Sequence, residues 1–465
     1  MDFDNILLNC DSYKNNHHIC YPPSTTSMFS YIESRGGVHD RTVFFGLQYI
    51  IERYLLGRVV TLPMVREAKA FYARHGVPFN EAGWSYIARE LGGRLPVRVR
   101  AVPEGTVVPT GQALVTIEST DPKAFWVASF LETMLLRVWY PTNVATVSYH
   151  CKQRILRELE RTADDPASEI DFKLHDFGAR GVSSHESAAI GGAAHLVNFK
   201  GSDTVIGVAM ANEHYGCDMA GFSVPATEHS TITSWGRDRE ADAYRNLLQR
   251  FAKPGAVVAC VSDSYNIYEA IERIWGGELR QQVIDSGATL VVRPDSGDPA
   301  SVVTACLRLL DERFGHTVNS KGYKVLNHVR VLQGDGINER SIGMILDAAS
   351  TAGYSATNLA FGMGGALLQQ HDRDTQKFAM KCSSVTVDGE EVAVYKDPVD
   401  DPGKQSKMGR LDLVREPGGR FGTVRLVGGA IAEPNTVMQT VFLNGGQFNK
   451  TTFAEVRARA VQGGR

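Results

Sequence analysis

Polar residues that could bind a ligand follow directly after short apolar runs in the middle of the chain. In VVRPDSGDP (291–299) a β-branched run breaks into a guanidinium and two carboxylates, beginning with Arg293 and Asp295. In QGDG (333–336), Asp335 lies between two glycines, so a ligand can press close to the backbone beside it. Such carboxylates can accept hydrogen bonds from ligand hydroxyl groups or help hold Mg²⁺. Turn-forming aspartates are the competing interpretation.

Glycines in FGMGGALLQQ (361–370) lie between a predicted strand and a predicted helix start. Bare backbone N–H groups at such a position can hold a phosphate, and late β/α units of barrels often carry a phosphate site. The pair Gly364 and Gly365 favours this interpretation. A tight strand-to-helix connection that needs glycine torsions explains Gly362 equally well.

Two further segments suit a flat, partly polar ligand or a catalytic step. The segment 171–205 contains Phe177, Arg180 and Asp203, which together can stack on such a ligand and hydrogen-bond to it. The segment SVPATEHSTITSWG (223–236) contains His229 after an acid and before hydroxyl residues. A single histidine is more often a structural group than a catalyst, so this pattern alone leaves both roles open.

Basic residues cluster in a Pro/Gly-rich segment near the end of the chain, KDPVDDPGKQSKMGR (396–410). They are Lys396, Lys404, Lys407 and Arg410, with Lys381 slightly upstream. A solvated loop is the default interpretation of such a composition. In a nearly neutral protein, however, local positive charge is also what an anionic small substrate needs.

The elements that must position these residues form a repeated pattern between about residues 171 and 371. Five apolar runs predict parallel strands buried on both faces: TVIGVAM (204–210), AVVACV (256–261), TLVV (289–292), HVRVL (328–332) and TNLAF (357–361). The polar breaks ANEH, SDSYN, RPDSGD, QGDG and GMGG follow them in that order. In a β/α barrel this carboxyl-terminal face is where active sites are built.

The flanking segments show different hydrophobic patterns. Helical spacing in 50–90 and 123–162, alternation in 94–119, and hairpin patterns followed by a closing helix after residue 383 predict a mixed second lobe. The expected fold is therefore α/β: a β/α barrel over 166–371, with an α+β lobe formed by 1–165 and 372–465.

Composition excludes several classes of protein. The 465 residues include 49 Lys plus Arg against 52 Asp plus Glu, a net charge of -3 that disfavours nucleic-acid binding. The seven cysteines are scattered without a C-x-x-C pair, which predicts reduced thiols. The start MDFDNILLNC lacks a basic secretory region, and no apolar run approaches the roughly 20 residues of a membrane span. We expect a soluble cytoplasmic protein.

Taken together, the motifs closely resemble the nicotinamide phosphoribosyltransferase family of type II phosphoribosyltransferases. The resemblance runs in unbroken order from about residue 7 to 460 and rests on DSYKNNHHICYPP, YIESRGG, HDFGARGVSSHESA, HLVNFKGSDTV, SVPATEHSTIT, VSDSYNIY, VVRPDSGDP, LQGDGIN, FGMGGALLQ and KDPVDDPGKQSKMGRL. It implies an irregular β/α barrel with a lobe from both chain ends. It also implies a homodimer with shared active sites, which makes nicotinamide mononucleotide and pyrophosphate from nicotinamide and 5-phosphoribosyl 1-pyrophosphate with Mg²⁺.

The resemblance also implies roles for the residues that bind the base. Phe177, with Tyr13 contributed by the other subunit, is expected to sandwich the pyridine ring. Asp203 is expected to accept the carboxamide N–H, while Arg180 and Arg293 line the same pocket. A carboxylate there would attract an amide and repel nicotinic acid, which argues against a nicotinate phosphoribosyltransferase.

The remaining implied roles concern the phosphorylated substrate. Asp295, Gly334 and Asp335 would hold the ribose, and Gly364 with Gly365 the 5-phosphate, helped by Arg373 from the partner. The implied pyrophosphate clamp, also from the partner, consists of Arg35, Lys381 and Lys396.

The resemblance changes the interpretation of His229, which corresponds to the family's histidine phosphorylated by ATP as a coupled co-substrate. Four positions depart from the expected pattern: Met363, Ala366, Ala179 and Ala379. They concern affinities and ATP coupling rather than the reaction.

Two rival interpretations come from outside this chemistry. One is a non-catalytic protein that keeps the fold, which the presence of His229, Asp203, Arg293 and Asp295 disfavours. The other is a generic phosphosugar enzyme such as an aldolase. None of the five breaks contains the lysine that an aldolase needs for a Schiff base.

Overall fold

The computed structural model of the chain describes residues 4–397, 405–428 and 430–463. The chain divides into two compact units. The first comprises Met1–Thr146, His214–Gly216 and His371–Arg465, and the second Val147–Glu213 and Cys217–Gln370. The first boundary therefore falls earlier than the expected residue 165.

Nineteen strands occur among the described residues. In chain order they are β1 Thr25–Ser34, β2 Arg41–Val43, β3 Val97–Ala101, β4 Val107–Pro109, β5 Ala113–Ser119, β6 Leu174–Asp176, β7 Gly201–Ser202, β8 Val257–Val261, β9 Thr289–Arg293, β10 His316–Val318, β11 Lys324–Leu326, β12 Val329–Gln333, β13 Leu359–Met363, β14 Phe378–Val387, β15 Glu390–Ala393, β16 Leu411–Arg415, β17 Phe421–Arg425, β18 Gln439–Leu443 and β19 Gly446–Gln447.

The α-helices of the same residues follow in chain order. They are α1 Leu47–Tyr54, α2 Leu62–His75, α3 Glu81–Glu90, α4 Val127–Phe130, α5 Glu132–Leu135, α6 Trp139–Thr162, α7 Pro166–Glu169, α8 His185–His195, α9 Val205–Tyr215, α10 His229–Thr233, α11 Glu240–Phe251, α12 Ile267–Glu269, α13 Arg280–Ser286, α14 Pro299–Phe314, α15 Glu339–Thr351, α16 Gly365–Leu368 and α17 Phe453–Gln462. Ala270–Glu278 continues α12 as a π-helix. None of these helices is both long and apolar enough to cross a membrane.

The first unit contains a seven-stranded sheet in the order β15-β14-β1-β5-β3-β18-β19, built from both ends of the chain. Its strand pairs are antiparallel, as the alternating segment 94–119 and the late hairpins predict. The predicted closing helix is α17, where Thr452 and Glu455 form a reciprocal capping box. The expectation of an α+β lobe is thus met in this unit.

The second unit contains a curled parallel sheet in the order β7-β6-β13-β12-β9-β8, with helices between its strands. Four of the five predicted strands are confirmed as β8, β9, β12 and β13. A core of Ala259, Val291 and Leu332 packs between them. The α/β fold class is confirmed.

The predicted strand TVIGVAM (204–210) is wrong, because residues Val205–Tyr215 form the helix α9. The strand of this repeat is the two-residue β7 just before it, so ANEH lies within the helix and not at a strand end. A short apolar run cannot by itself distinguish a buried helix from a buried strand. The sequence also does not predict the strand β6, because three residues are too few to show a hydrophobic period.

Helix capping explains several of the polar residues that follow the strands. Asp298 caps α14 by accepting a hydrogen bond from the Ser301 backbone N–H at 3.0 Å, and Pro299 is the first helical residue. Asn266 and Asn338 cap α12 and α15 in the same way. The carboxylates and the guanidinium that do not cap helices are therefore the ones available to a ligand.

Candidate active site

A cavity of about 750 Å³ lies within the second unit at the carboxyl-terminal edge of its parallel sheet. Ten of the residues predicted from the sequence line it: Phe177, Arg180, Asp203, His229, Arg293, Asp295, Gly334, Asp335, Gly364 and Gly365. They come from five strand-to-helix connections and from the start of α10. The parallel sheet brings them together because all its strands end at this edge.

His229, Asp263 and Asp295 form a hydrogen-bonded group on one side of the cavity. The His229 Nε2 atom lies 3.0 Å from Asp263 Oδ1, while Asp263 Oδ2 accepts hydrogen bonds from the Asp295 backbone N–H at 2.9 Å and the Ser296 hydroxyl at 2.6 Å. Burial alone would raise the pKa of Asp263, but the hydrogen bonds from Ser296, His229 and Asp295 outweigh it and lower the pKa. Asp263 is thus an ionised group that orients the His229 ring.

The Arg293 guanidinium faces the Asp295 carboxylate at 3.9 Å. Burial raises the pKa of Asp295; Asp263 and Asp335 add to this effect, while Arg293 opposes it. Among the described residues, the buried Arg293 Nε has no hydrogen-bond partner. The pair therefore has capacity to bind more than its own chain supplies.

The Asp295 and Asp335 carboxylates fit a hard divalent cation. Both line the cavity, and Asp335 contributes to the raised pKa of Asp295, so the two charges repel each other. Mg²⁺ prefers oxygen ligands of this kind, often one or two carboxylates with substrate phosphates.

The glycines of the cavity let the backbone and Phe177 approach closely. A Cβ atom built on Gly362 would lie 2.0 Å from the Phe177 ring, so the ring rests directly on this strand end. A Cβ atom on Gly365 would make only ordinary van der Waals contacts, with its nearest neighbour 3.5 Å away. Gly362 is therefore needed because Phe177 packs against it and not for its backbone torsions, whereas a small side chain would fit at Gly365.

The Phe177 ring and the Asp203 carboxylate are the parts of the cavity that suit an aromatic amide. The ring packs against the core formed by Ala259, Val291 and Leu332. Asp203 Oδ1 accepts a hydrogen bond from the Ser223 hydroxyl at 2.5 Å. An aromatic face beside a carboxylate can stack on a planar ring and accept a hydrogen bond from its substituent.

Sequence reasoning gave no role to Asp263, Ser223 or Glu228. Asp263 follows Ser262 directly after the strand β8, so it has the same strand-end position as Asp295 and could have been found by that rule. Ser223 lies in a loop, and only its hydrogen bond to Asp203 shows its position. Glu228 lines the cavity as the residue before α10.

Five predicted site residues belong to the first unit and do not line this cavity: Tyr13, Arg35, Arg373, Lys381 and Lys396. Tyr13 is 56% exposed in the 3-10 helix Ser12–Asn15. Arg35 donates to Glu33 at 2.9 Å, and Arg373 pairs with Asp374 at 3.1 Å.

Four of these residues form a positive cluster within the first unit. Burial lowers the pKa of Lys381, and the positive charges of Arg35, Lys396 and Arg373 lower it further. Not every basic residue of segment 396–410 is available to an anion, because Lys407 pairs with Glu33 and Arg410 with Glu118. Lys404 lies outside the described residues.

Comparison with known proteins gives consistent relatives. Residues 172–445 match the nicotinate phosphoribosyltransferase (NAPRTase) family, and residues 5–99 match the nicotinamide phosphoribosyltransferase N-terminal domain. The chain is 60% identical over 460 residues to a curated nicotinamide phosphoribosyltransferase of Xanthomonas campestris pv. campestris, covering 98% of each chain. It is 30% identical over 492 residues to that of Acinetobacter baylyi, covering 97% of this chain and 96% of the relative.

Solved structures agree on the fold at much lower identity. Nicotinate-nucleotide pyrophosphorylase from Pyrococcus furiosus matches with a TM-score of 0.63 and 16% identity, over 99% of this chain and 96% of that chain. Human nicotinic acid phosphoribosyltransferase matches with a TM-score of 0.57 and 16% identity, over 97% and 93%. The fold is that of the type II phosphoribosyltransferases. The sequence relatives narrow this further: the chain belongs to the nicotinamide phosphoribosyltransferase family.

Proposed function

We propose that the protein joins nicotinamide to 5-phosphoribosyl 1-pyrophosphate in cytoplasmic NAD salvage, releasing nicotinamide mononucleotide and pyrophosphate. In this step the pyridine nitrogen lone pair attacks the ribose C1 atom. The bond from C1 to the pyrophosphate oxygen breaks, and pyrophosphate leaves with the electron pair. No general base is required, because the nitrogen that attacks carries no proton.

The presence of the Asp203 carboxylate and the Phe177 ring in the lining of one cavity is the observation that carries this proposal. An ionised carboxylate accepts a hydrogen bond from the nicotinamide N–H, whereas the carboxylate of nicotinic acid would meet a like charge. The Ser223 hydroxyl already donates to Asp203 Oδ1 at 2.5 Å, so it holds the carboxylate in one orientation. Phe177 supplies the stacking face, and Arg180 lines the same cavity.

The other side of the cavity suits the phosphorylated sugar. Asp295, Asp335 and Gly334 would hold the ribose hydroxyls, and Gly364 and Gly365, which line the same cavity, would hold the 5-phosphate. Asp295 and Asp335 are also the residues that would hold Mg²⁺, which neutralises charge on the leaving pyrophosphate when bound. The Arg293 guanidinium lies where it can stabilise developing negative charge.

The positive cluster of the first unit supports a homodimer with shared sites. Arg35, Lys381 and Lys396, with Arg373, have the chemistry of a pyrophosphate and phosphate clamp, and none of them lines the cavity of the second unit. In the proposed dimer these cations and Tyr13 come from the partner subunit. Mixing Arg35→Ala with Asp295→Ala subunits should then restore part of the activity that each variant lacks, because hybrid dimers contain one intact site. An inactive mixture whose hybrid dimers are demonstrated would contradict this arrangement.

His229 is proposed to accept a phosphoryl group from ATP, which couples ATP hydrolysis to nucleotide formation. Its Nε2 atom lies 3.0 Å from the ionised Asp263, which can orient the ring and balance its charge. The test is incubation with labelled ATP and Mg²⁺ followed by detection of acid-labile, base-stable phosphate. Equal labelling of His229→Ala and the wild type would show that another residue accepts the phosphate.

The first experiment offers nicotinamide and nicotinic acid in parallel, with 5-phosphoribosyl 1-pyrophosphate and Mg²⁺, to the wild type and to Asp203→Asn. We expect the wild type to prefer nicotinamide. In the variant this preference, as a ratio of kcat/KM values, should fall at least about tenfold, which corresponds to one unfavourable polar contact. Asp165→Asn, at an exposed helix cap in the same unit, is the matched control.

A specific observation favours the alternative base: residues 172–445 match a family named for nicotinate. If nicotinic acid is used as well as nicotinamide or better, the specificity proposal is wrong while the reaction type stands. If neither base reacts, a non-catalytic protein on the same fold becomes the better explanation.

A further inference from the structure

Asp176 is a second carboxylate next to the base-binding residues, and the proposed reaction gives it no role. It is the last residue of β6, immediately before Phe177, and it is fully buried. It is not among the residues that line the cavity, whereas the adjacent Phe177 is.

One carboxylate oxygen of Asp176 holds the turn that carries the aromatic ring. Its Oδ1 atom accepts a hydrogen bond from the Gly178 backbone N–H at 2.7 Å. The Phe177 backbone N–H donates to the Met363 carbonyl at 3.0 Å, so two successive peptide groups are restrained. A Cβ atom on Gly178 would lie 2.6 Å from Leu368, which leaves this turn no room to shift.

The backbone of Asp176 holds the carboxamide acceptor at the same time. Its carbonyl oxygen accepts a hydrogen bond from the Asp203 backbone N–H at 2.9 Å. The side chain of Asp203 is then oriented by Ser223. One residue thus connects the stacking face to the amide acceptor, which come from different strands.

The other carboxylate oxygen and the charge of Asp176 have no structural explanation. The Oδ2 atom and the Thr204 hydroxyl are buried neighbours, and within the described ranges neither has a hydrogen-bond partner of normal geometry. Burial raises the pKa of Asp176 to about 6; the Gly178 backbone N–H and the nearby Thr204 hydroxyl oppose this, and the Asp203 charge adds to it. A buried carboxylate oxygen without a hydrogen-bond partner carries a cost in stability that a purely structural turn would not require.

We propose that Asp176 is a positioning and specificity residue for the base: it holds Phe177 and Asp203 in register, and its charge adds to that of Asp203 in excluding a carboxylate ligand. This inference rests on the proposed function, because it assumes that Phe177 and Asp203 bind the base. Two negative groups would then act on the bound base: Asp203 in contact with it and Asp176 buried outside the cavity lining. A neutral amide tolerates this field, and an anionic base does not.

Two substitutions separate the positioning role from the charge. Asp176→Asn keeps an oxygen that can accept from Gly178, places an amide beside Thr204 and removes the charge. We expect its KM for nicotinamide to stay within about threefold of wild type, while its preference for nicotinamide over nicotinic acid, as a ratio of kcat/KM, falls about tenfold. Asp176→Ala removes both the oxygen that accepts from Gly178 and the charge. Its KM for nicotinamide should rise about tenfold or more, because one charge-assisted hydrogen bond is lost.

The KM for 5-phosphoribosyl 1-pyrophosphate is the internal reference in both variants. It should change by less than about twofold, since the proposal assigns that substrate to other loops. The loss of one polar contact to it would change this KM about tenfold. Asp165→Asn again serves as the matched control, and circular dichroism with a thermal melt shows whether each variant is folded.

A folded Asp176→Ala protein with an unchanged KM for nicotinamide would overturn the positioning role, and so would an equal rise in KM for both substrates. An unchanged base preference in Asp176→Asn would overturn the charge role; this variant keeps the test valid if Asp176→Ala does not fold. Asp203→Asn distinguishes the two levels of inference. If Asp203→Asn is without effect, the proposed base site fails; if it acts and the Asp176 variants do not, only the inference on Asp176 fails.

Discussion

The two edges of the parallel sheet in the second unit both carry charged groups, but only one edge leaves them available. At the amino-terminal edge, the buried Lys173 ammonium pairs with Glu169 at 3.0 Å and donates to the Thr357 carbonyl at 2.9 Å. Arg330 donates to the carbonyl groups of Leu326 and Val329 at 2.6 and 2.7 Å. Burial lowers the pKa of both cations, yet the chain itself supplies their partners.

At the carboxyl-terminal edge the same kinds of group are incompletely paired. Arg293 Nε, Gln333 Oε1 and Asp176 Oδ2 are buried and, among the residues that the structure describes, have no hydrogen-bond partner. The Asp295 carboxylate lies 3.9 Å from Arg293, too far for a hydrogen bond. The comparison teaches that burial and charge alone do not mark a site: the mark is a charged group whose partners the chain does not provide.

The largest predicted effect, and the strongest test of this contrast, concerns Asp295. Asp295→Ala should lower kcat/KM by about 10³-fold, because it removes the proposed contact to the reacting sugar, with little change in the melting temperature. Asp298→Ala in the same loop is the comparison, since Asp298 only caps α14. We expect it to lower the melting temperature modestly and kcat/KM by less than about tenfold. Steady-state kinetics and a thermal melt measure both; similar activity losses would remove the distinction.

The amino-terminal edge should respond in the opposite way. Lys173→Met removes a buried ammonium group and leaves the partly exposed Glu169 without its cation, and should cost about 2 kcal/mol of stability, with kcat of the folded protein unchanged. Denaturant unfolding and kinetics on the same samples check this. Lys200→Met, which breaks the more exposed pair with Asp171, is the control and should cost less than about 1 kcal/mol. A Lys173 variant that is stable but inactive would contradict the proposed division of roles.

Asp176 sharpens the contrast through pH. Because its pKa is raised from an ordinary 3.8 to about 6, its contribution to stability is fully present below about pH 4 and is lost as pH rises through about 6. Asp176→Asn lacks this loss, so relative to wild type it should gain about 1–2 kcal/mol between roughly pH 5 and pH 7.5. Melting temperatures of both proteins at the two pH values test this, and a constant difference would refute it.

The smallest predicted effect concerns Gly365 at the start of α16. Gly365→Ala has room for the added methyl group, whose nearest neighbour would be 3.5 Å away, so the fold should be unchanged. In the proposed site the methyl group would face the 5-phosphate, and KM for 5-phosphoribosyl 1-pyrophosphate should rise about fivefold, on the order of 1 kcal/mol. Ala366→Gly is the control for backbone flexibility. An unchanged KM would place the phosphate elsewhere.

The elements with regular patterns were predictable, and the short ones were not. The strands β8, β9, β12 and β13 are long enough to show a buried apolar run, and the glycines and acids behind them indicate a ligand. The strands β6 and β7 have three and two residues and show no period. The helix α9 has the apolar run of a buried strand, so its sequence alone favours the wrong element.

The sequence by itself determined the fold class, most of the residues at the strand ends and the family to which the chain belongs, because these depend on local pattern and on the order of motifs. Only the tertiary structure decided which of those residues cap a helix and which line the cavity, and that Asp263 contacts His229 and Asp176 contacts the Gly178 backbone. The reason is physical: a carboxylate that accepts from its own helix and one that faces a ligand have the same local sequence. They differ only in the partners that the folded chain places around them.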